Sequence, residues 1–314
     1  MTKFIMVRYD NKKYPQEINC AIDEIPGHFD INSVNQNSRY LLHTDNSFKK
    51  KKFDNELLKD LDEIKLSTKD DIPQLWKNEK WAKEFFQFIE RLLCESIDPE
   101  IIEIHPPFID YCSAIDDFLN IYETFENLIL NRYNNVKIFI ENRFGTQYRT
   151  GSRQSIGRGR NLIEKRYRPR HGKKFLISNC NDIISLCNKL SERDLKLKIV
   201  LDYPQLMNSE HINSNNPSIK SIIDFNANLK DQSEYIGGIH LWGRKVRTKG
   251  QRSHYGNLNT LFNNNYRTKK LFLQSLHDTF DDDIIRYMVL EVNSSTKDMH
   301  AIIKDLMKYE FEFV

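Results

Sequence analysis

Residues 136–141, Val-Lys-Ile-Phe-Ile-Glu, form a short, almost wholly apolar run that stops on a carboxylate. A strand this apolar is expected where both faces are buried, as in a parallel sheet covered by helices. The same phrase recurs along the chain. Ile101-Ile102-Glu103-Ile104 stops at His105, Lys198-Ile199-Val200-Leu201 at Asp202, Tyr235 to Ile239 at His240, and Tyr287 to Leu290 at Glu291.

Between these runs the apolar spacing is helical. Trp81, Phe85, Phe88, Ile89, Leu92 and Leu93 make a broad face on a helix predicted over 78–94. Further helices are predicted over 114–131, 181–190 (with Ser178 or Asn179 as N-cap), 217–229, 257–280 and 296–309. Strands alternating with helices imply parallel βαβ units. Roughly eight such units in about 300 residues predict a single-domain (β/α)8 TIM barrel over residues 1–314. An open doubly wound sheet would carry a Gly-rich turn after its first strand, and Phe4 to Tyr9 is followed by none. Residues 1–75 form an atypical N-terminal part. Strands are predicted at 4–9 and 40–44 and a short helix at 54–66, but most of 10–75 fits no period.

Composition narrows the class. With 39% hydrophobic residues the chain has enough apolar material for a core, and no apolar run approaches a membrane span. The opening MTKFIMVRYD meets charge too soon for a signal peptide, so a cytoplasmic location is expected. The five cysteines (Cys20, Cys94, Cys112, Cys180, Cys187) include no CxxC pair, which argues against a disulfide framework or a zinc ribbon.

In a parallel barrel every strand ends on the same face, where barrel active sites lie. His105, Glu141, Asp202, His240 and Glu291 would therefore converge without being close in sequence. A single acid at a strand end often only caps the next helix, and a lone His is usually a satisfied core residue. Five successive strand ends are harder to dismiss, because burying such charges unpaired is costly. Shared divalent ions (zinc, manganese or iron, one or two of them) would supply the compensation.

In this order the segments IHPP (His105), IEN (Glu141), LDYPQ (Asp202), IHLWG (His240) and LEVN (Glu291) resemble the xylose-isomerase-like barrels, which include endonuclease IV and sugar isomerases and epimerases. The resemblance spans about residues 101–295. It implies that these five residues bind one to three divalent ions. His254, in RSHYGNLN, is similar to the His that follows the penultimate metal strand in the endonuclease branch. The chain departs from that branch at Arg252, where the pattern has Asp, and at Gln205, where it has His. His43 is a possible further contributor from an earlier strand. The catalytic Lys motif of xylose isomerase itself has no counterpart.

Two cationic segments would emerge on the same face. From Arg143 to Lys174 there are eleven Lys or Arg against the single acid Glu164, and Arg244 to Lys249 forms a second basic stretch. Most charge runs are simply solvated. Beside a metal cluster, however, Arg143, Arg149, Arg153, Arg158, Arg160, Arg244 and Lys245 would draw in and grip the phosphates of a nucleic acid.

The leading expectation is a metal-dependent phosphodiester hydrolase of the endonuclease IV kind. Ions on His105, Glu141, Asp202, His240 and Glu291 would activate water, Arg143 would position phosphate, and His254 would add a ligand or a proton donor. The first alternative is a sugar isomerase or epimerase, with Glu141 and Glu291 moving a proton between adjacent carbons. A non-catalytic nucleic-acid-binding barrel is the second, and a peptide-modifying oxidase the third. Fold alone does not choose among them.

Overall fold

Strand after strand pairs in parallel until the last closes on the first. The strands are β1 (Thr2–Arg8), β2 (Ile22–Pro26), β3 (Arg39–His43), β4 (Ile101–Ile104), β5 (Lys137–Glu141), β6 (Lys198–Asp202), β7 (Ile236–Leu241) and β8 (Arg286–Leu290). Val7 opposite Val289 belongs to the β1–β8 seam that shuts the barrel. The computed structural model describes residues 2–9, 12–26, 39–44, 57–69, 74–93, 97–144, 155–156, 163–164, 175–212, 218–247 and 250–314. The fold is thus the closed eight-stranded parallel barrel that the alternation predicts.

A ninth strand, β9 (Phe311–Phe313), is an addition. It runs parallel to the lower half of β1, with Thr2 opposite Phe311 and Phe4 opposite Phe313. β2 takes only the upper end of β1, through Val7–Ile22 and Arg8–Asp23. The β1–β2 seam is therefore narrow, and the C-terminal strand supplies hydrogen-bond partners below it.

The helical shell comprises α1 (Asp62–Lys69), α2 (Glu79–Leu93), α3 (Ile115–Arg132), α4 (Cys180–Ser191), α5 (Tyr203–Ser209), α6 (Lys220–Leu229), α7 (Leu258–Leu261), α8 (Tyr266–Phe280) and α9 (Thr296–Met307). Among the described residues no helix lies between β1 and β2. α1 begins later than predicted, because residues 57–60 form a turn and Asp60 sits at φ 59°, a left-handed backbone that stops a helix from propagating. Asn179 caps α4 in a reciprocal box with Asp182. None of the described helices is long and apolar enough to cross a membrane.

Two cores follow from the period-two alternation of the strands. Outward residues pack against the helices. There Trp76, Trp81, Phe85, Phe118, Tyr122 and Phe125 make a continuous aromatic cluster over α2 and α3. Inward residues form an apolar layer of Val7, Ile22, Leu41, Ile101, Phe139, Val200, Tyr287 and Val289. Two positions further along the same strands, the interior becomes polar. Glu24, His43, Glu103, Glu141, Asp202 and Glu291 stand there, joined by His240 from β7. Filling the plug below with branched and aromatic side chains fixes the floor of this polar ring.

A candidate metal centre at the barrel mouth

Glu141 is the hub of the ring. Its Oε2 lies 3.0 Å from His105 Nε2 and accepts a 3.0 Å hydrogen bond from Arg143. Its Oε1 accepts from Gln205 Nε2 at 3.2 Å and lies 3.7 Å from His240 Nδ1. Glu291 Oε1 stands 3.5 Å from the same His240 nitrogen, and Glu291 Oε2 is 3.1 Å from His254 Nδ1. On the other side His43 joins the cluster, with Nε2 at 3.2 Å from His105 Nε2 and Nδ1 at 2.7 Å from Glu24.

Neighbouring elements hold these side chains. Trp76 reaches in from the helical layer and donates its indole N–H to the backbone carbonyl of His105 at 2.7 Å. His254 is delivered by an antiparallel hairpin, Arg244–Arg247 with Gly250–Ser253, that leaves the end of β7. Its ring stacks on Trp242 at 4.3 Å between centroids. Its backbone is left-handed (φ 58°), an uncommon conformation for a side-chain-bearing residue and one that clusters at functional sites. The base of the hairpin closes tightly. A Cβ on Gly243 would stand 2.3 Å from the backbone carbon of Gly256, so only glycine lets these segments cross.

The sequence-predicted residues divide as follows. Donor atoms of Glu141, His240 and Glu291 lie within 4.8 Å of one another, and so do those of His43, His105 and Glu141, and those of Glu24, His43 and Glu291. Asp202 is adjacent but engaged. Its Oδ1 caps α5 through Gln205 N (2.9 Å), and its Oδ2 accepts from Gln205 Nε2 (2.8 Å) and Trp242 Nε1 (3.0 Å). Arg143 points into the ring. Arg244, expected to meet phosphate, instead turns inward. It is buried and donates to the carbonyls of Ile212 and Pro204, which hold its guanidinium in the protein interior. Arg149, Arg153, Arg158 and Arg160 lie outside the described residues, as does the side chain of Lys245.

Two buried acids escape the strand-end rule. Glu24 stands on β2, whose IDEIP sequence gives little strand signal. Glu103 is fully buried on β4, with Oε1 3.4 Å from His43 Nε2 and Oε2 3.3 Å from His240 Nε2. The signal for Glu103 was present: it is two residues before His105, so a period of two puts both on one face.

Electrostatics sort the imidazoles. Burial, together with the neighbouring Arg143 charge, pushes His105 down to about 4 and leaves its ring neutral. Burial also opposes charge on His43 and His240, but the carboxylates around them, Glu103 foremost, overcome it and raise both. Glu141 resists burial and stays well below the usual carboxylate range because Arg143 and three imidazoles face it. Asp202 is pushed up to about 7 by burial and by the charges of Glu141 and Glu291. Burial opposes charge on His254 as well, and Glu291 outweighs it and raises the ring.

These donors fit divalent cations. Both oxygens of Glu103, Glu24 Oε2, His105 Nδ1 and both nitrogens of His240 are buried without an aligned hydrogen bond. Such groups are costly unless something satisfies them. Five buried carboxylates (Glu24, Glu103, Glu141, Asp202, Glu291) face one guanidinium, Arg143.

No family model and no curated protein matches the chain. Among solved structures, it is similar to a xylose isomerase domain protein from Planctomyces limnophilus at 10% identity and a TM-score of 0.45, covering 98% of this chain and 97% of that one. A putative sugar phosphate isomerase/epimerase from Anabaena variabilis aligns at 11% identity and a TM-score of 0.37, covering 92% and 76%. Mannonate dehydratase from Streptococcus suis serotype 2 aligns at 9% identity and a TM-score of 0.37, covering 92% and 82%. At these TM-scores the likenesses carry no functional argument. The barrel rests on the strand pairing, and the class it defines with its ring of donors is a (β/α)8 barrel with a buried His/carboxylate centre at the C-terminal mouth.

Proposed function

We propose that this chain is a divalent-metal-dependent isomerase or epimerase acting on a small polyhydroxy carbonyl compound. The observation that carries the reading is the Glu141–His240–Glu291 group. Two buried carboxylates flank one imidazole nitrogen at 3.7 and 3.5 Å, so one donor set offers both an ion site and a pair of acid–base groups. Zinc, manganese or iron(II) would be held by these three residues, with Asp202 beside them. A bound ion would polarise a carbonyl and stabilise the negative charge that develops on its oxygen.

The chain's own residues supply the proton handling. Glu291 faces His240 with one oxygen and His254 with the other. A proton taken from carbon by Glu291 can therefore pass to His254, which is about a third exposed and exchanges with solvent. Glu141, which faces the same His240 nitrogen as Glu291, would return a proton at the neighbouring carbon. The deep burial of the ring favours a small substrate over a polymer, and the inward turn of Arg244 removes part of the support for a nucleic-acid groove.

A second reading, a phosphodiester hydrolase, is favoured by one feature: the His43–His105–Glu141 group shares Glu141 with the first group, an arrangement suited to paired ions. The two readings separate in one experiment. The protein, loaded in turn with zinc, manganese and iron(II), is incubated in deuterated water with a panel of aldoses, ketoses and their phosphates, and in parallel with an activated phosphodiester. Deuterium at the carbon next to the carbonyl, lost in Glu291→Gln, is the expected result. Phosphodiester cleavage without exchange would replace the first reading by the second, and neither activity with any metal would overturn both.

A further inference from the structure

Arg143 follows Glu141 by two residues, and its backbone N–H is fixed on Ile177 O at 3.0 Å. The side chain folds back over the end of β5. Nη1 lies 3.0 Å from Glu141 Oε2 and 3.3 Å from His105 Nε2. Those are two of the donor atoms of the His43–His105–Glu141 group. The third, His43 Nε2, is 3.2 Å from His105 Nε2 and 3.8 Å from Glu141 Oε2. The guanidinium therefore lies against the same lone pairs that an ion in this group would use. Glu141 divides its oxygens: Oε2 serves this side, and Oε1 faces His240 on the other.

Two cations cannot share such a space, since like charges at this separation in a poorly solvated site repel strongly. We propose that Arg143 is a built-in competitor for the His43–His105–Glu141 subsite, where its guanidinium and a divalent ion are alternative occupants. The side chain is about one-fifth exposed, which leaves it a path outward. An anionic group on the substrate that draws the guanidinium toward the mouth opens the subsite to the ion. By linkage, the ion then strengthens binding of the anion by the same factor. The Arg143 guanidinium is hydrogen-bonded to Glu141 Oε2, whereas Glu141 turns its Oε1 to His240, so the Glu141–His240–Glu291 group stays available throughout. This inference rests on the metal reading above, but its readout is ion binding rather than turnover.

The test is titration of chelator-stripped protein with cobalt(II), followed by its visible spectrum and by calorimetry, with and without inorganic phosphate as the anion probe. The wild type is expected to bind one ion tightly and a second weakly, with phosphate strengthening the second. Arg143→Met, which keeps the bulk and removes the charge, is expected to tighten the second ion by about tenfold or more and to abolish the phosphate effect. Arg143→Lys, which keeps a cation there, should behave as the wild type. In the Arg143→Met background, His43→Ala should lose the second ion and keep the first, which also reports that the barrel is folded. A second ion equally weak, weaker or absent in Arg143→Met overturns the competition alone. No ion bound by any variant overturns it together with the metal reading.

Discussion

Glu103 Oε2 lies 3.3 Å from His240 Nε2, at the opposite ring nitrogen from the one that faces Glu141 and Glu291. A carboxylate behind a metal-binding imidazole fixes its tautomer and orientation, and removing one typically weakens metal affinity about 10- to 100-fold. Glu103 is fully buried and reaches His43 as well, so one side chain steadies imidazoles from two sides of the ring. Glu103→Gln keeps the volume and loses the charge. It is expected to weaken ion binding within that range while leaving the circular dichroism spectrum unchanged. Unaltered affinity for every ion would show that Glu103 is a passenger.

Asp202 makes a different kind of prediction. Its Oδ2 accepts two N–H groups, from Gln205 and Trp242, while Oδ1 caps α5. In Asp202→Asn the cap can be kept only if the new NH2 group is turned toward both of those donors. Leaving buried donors unsatisfied costs about 1–3 kcal/mol. The variant should therefore lose roughly that much stability in urea unfolding, and Trp242→Phe in the same background should recover part of it by deleting one of the stranded donors. Additive losses would mean that the two residues do not act through this contact.

At the other end of the barrel, Asp282 grips the buried Arg286 at the start of β8 through two 2.7 Å hydrogen bonds, and Ser233 adds a third at 2.8 Å. Partial burial pushes the Asp282 carboxyl up, but these bonds outweigh it and hold it below the usual carboxylate range. A carboxylate lowered in the folded state contributes stability above its unfolded pKa of about 3.9, and that contribution is lost as pH falls through the folded value. Asp282→Asn should thus be clearly less stable than the wild type at neutral pH, and the gap should narrow as pH falls through the lowered folded value. A gap that persists in acid would assign the effect to shape rather than charge.

How far the sequence reveals this protein differs between its halves. From residue 100 onward, the barrel strands and most helices stand where their period places them, because βαβ units bury both sides of every strand. The helix predicted over 257–280 is instead split into α7 and α8 where Asn263 and Asn264 take left-handed backbone (φ 52° and 60°), and α5 and β9 were not predicted. The convergence of His105, Glu141, His240 and Glu291 was readable for the same reason: one parallel sheet puts all its strand ends on one face. β2 and Glu24 were not readable. The strand is short and its first pairing is only two residues wide. Nor does a charge count distinguish Arg143, which points into the donors, from Arg244, which is anchored on two carbonyls. That distinction depends on the partners each side chain finds, and those of Arg244, the carbonyls of Pro204 and Ile212, are distant in sequence and marked by no local period.

His254 lets strain and chemistry be separated. Its left-handed backbone is costly for an L-residue, roughly 1–2 kcal/mol, and nearly free for glycine. Removing the imidazole as His254→Ala keeps that backbone cost and loses the stacking on Trp242 and the contact with Glu291. Removing it as His254→Gly loses the same contacts but relieves the backbone. His254→Gly is therefore expected to unfold at higher temperature than His254→Ala. Both should be equally impaired in solvent proton exchange, because neither can carry a proton from Glu291 to the mouth. Added imidazole should restore exchange in both variants, and more readily in His254→Gly, where the space above Trp242 is wider. Full exchange in either variant without imidazole would remove His254 from the proton path and leave its strained backbone as a feature of the hairpin alone.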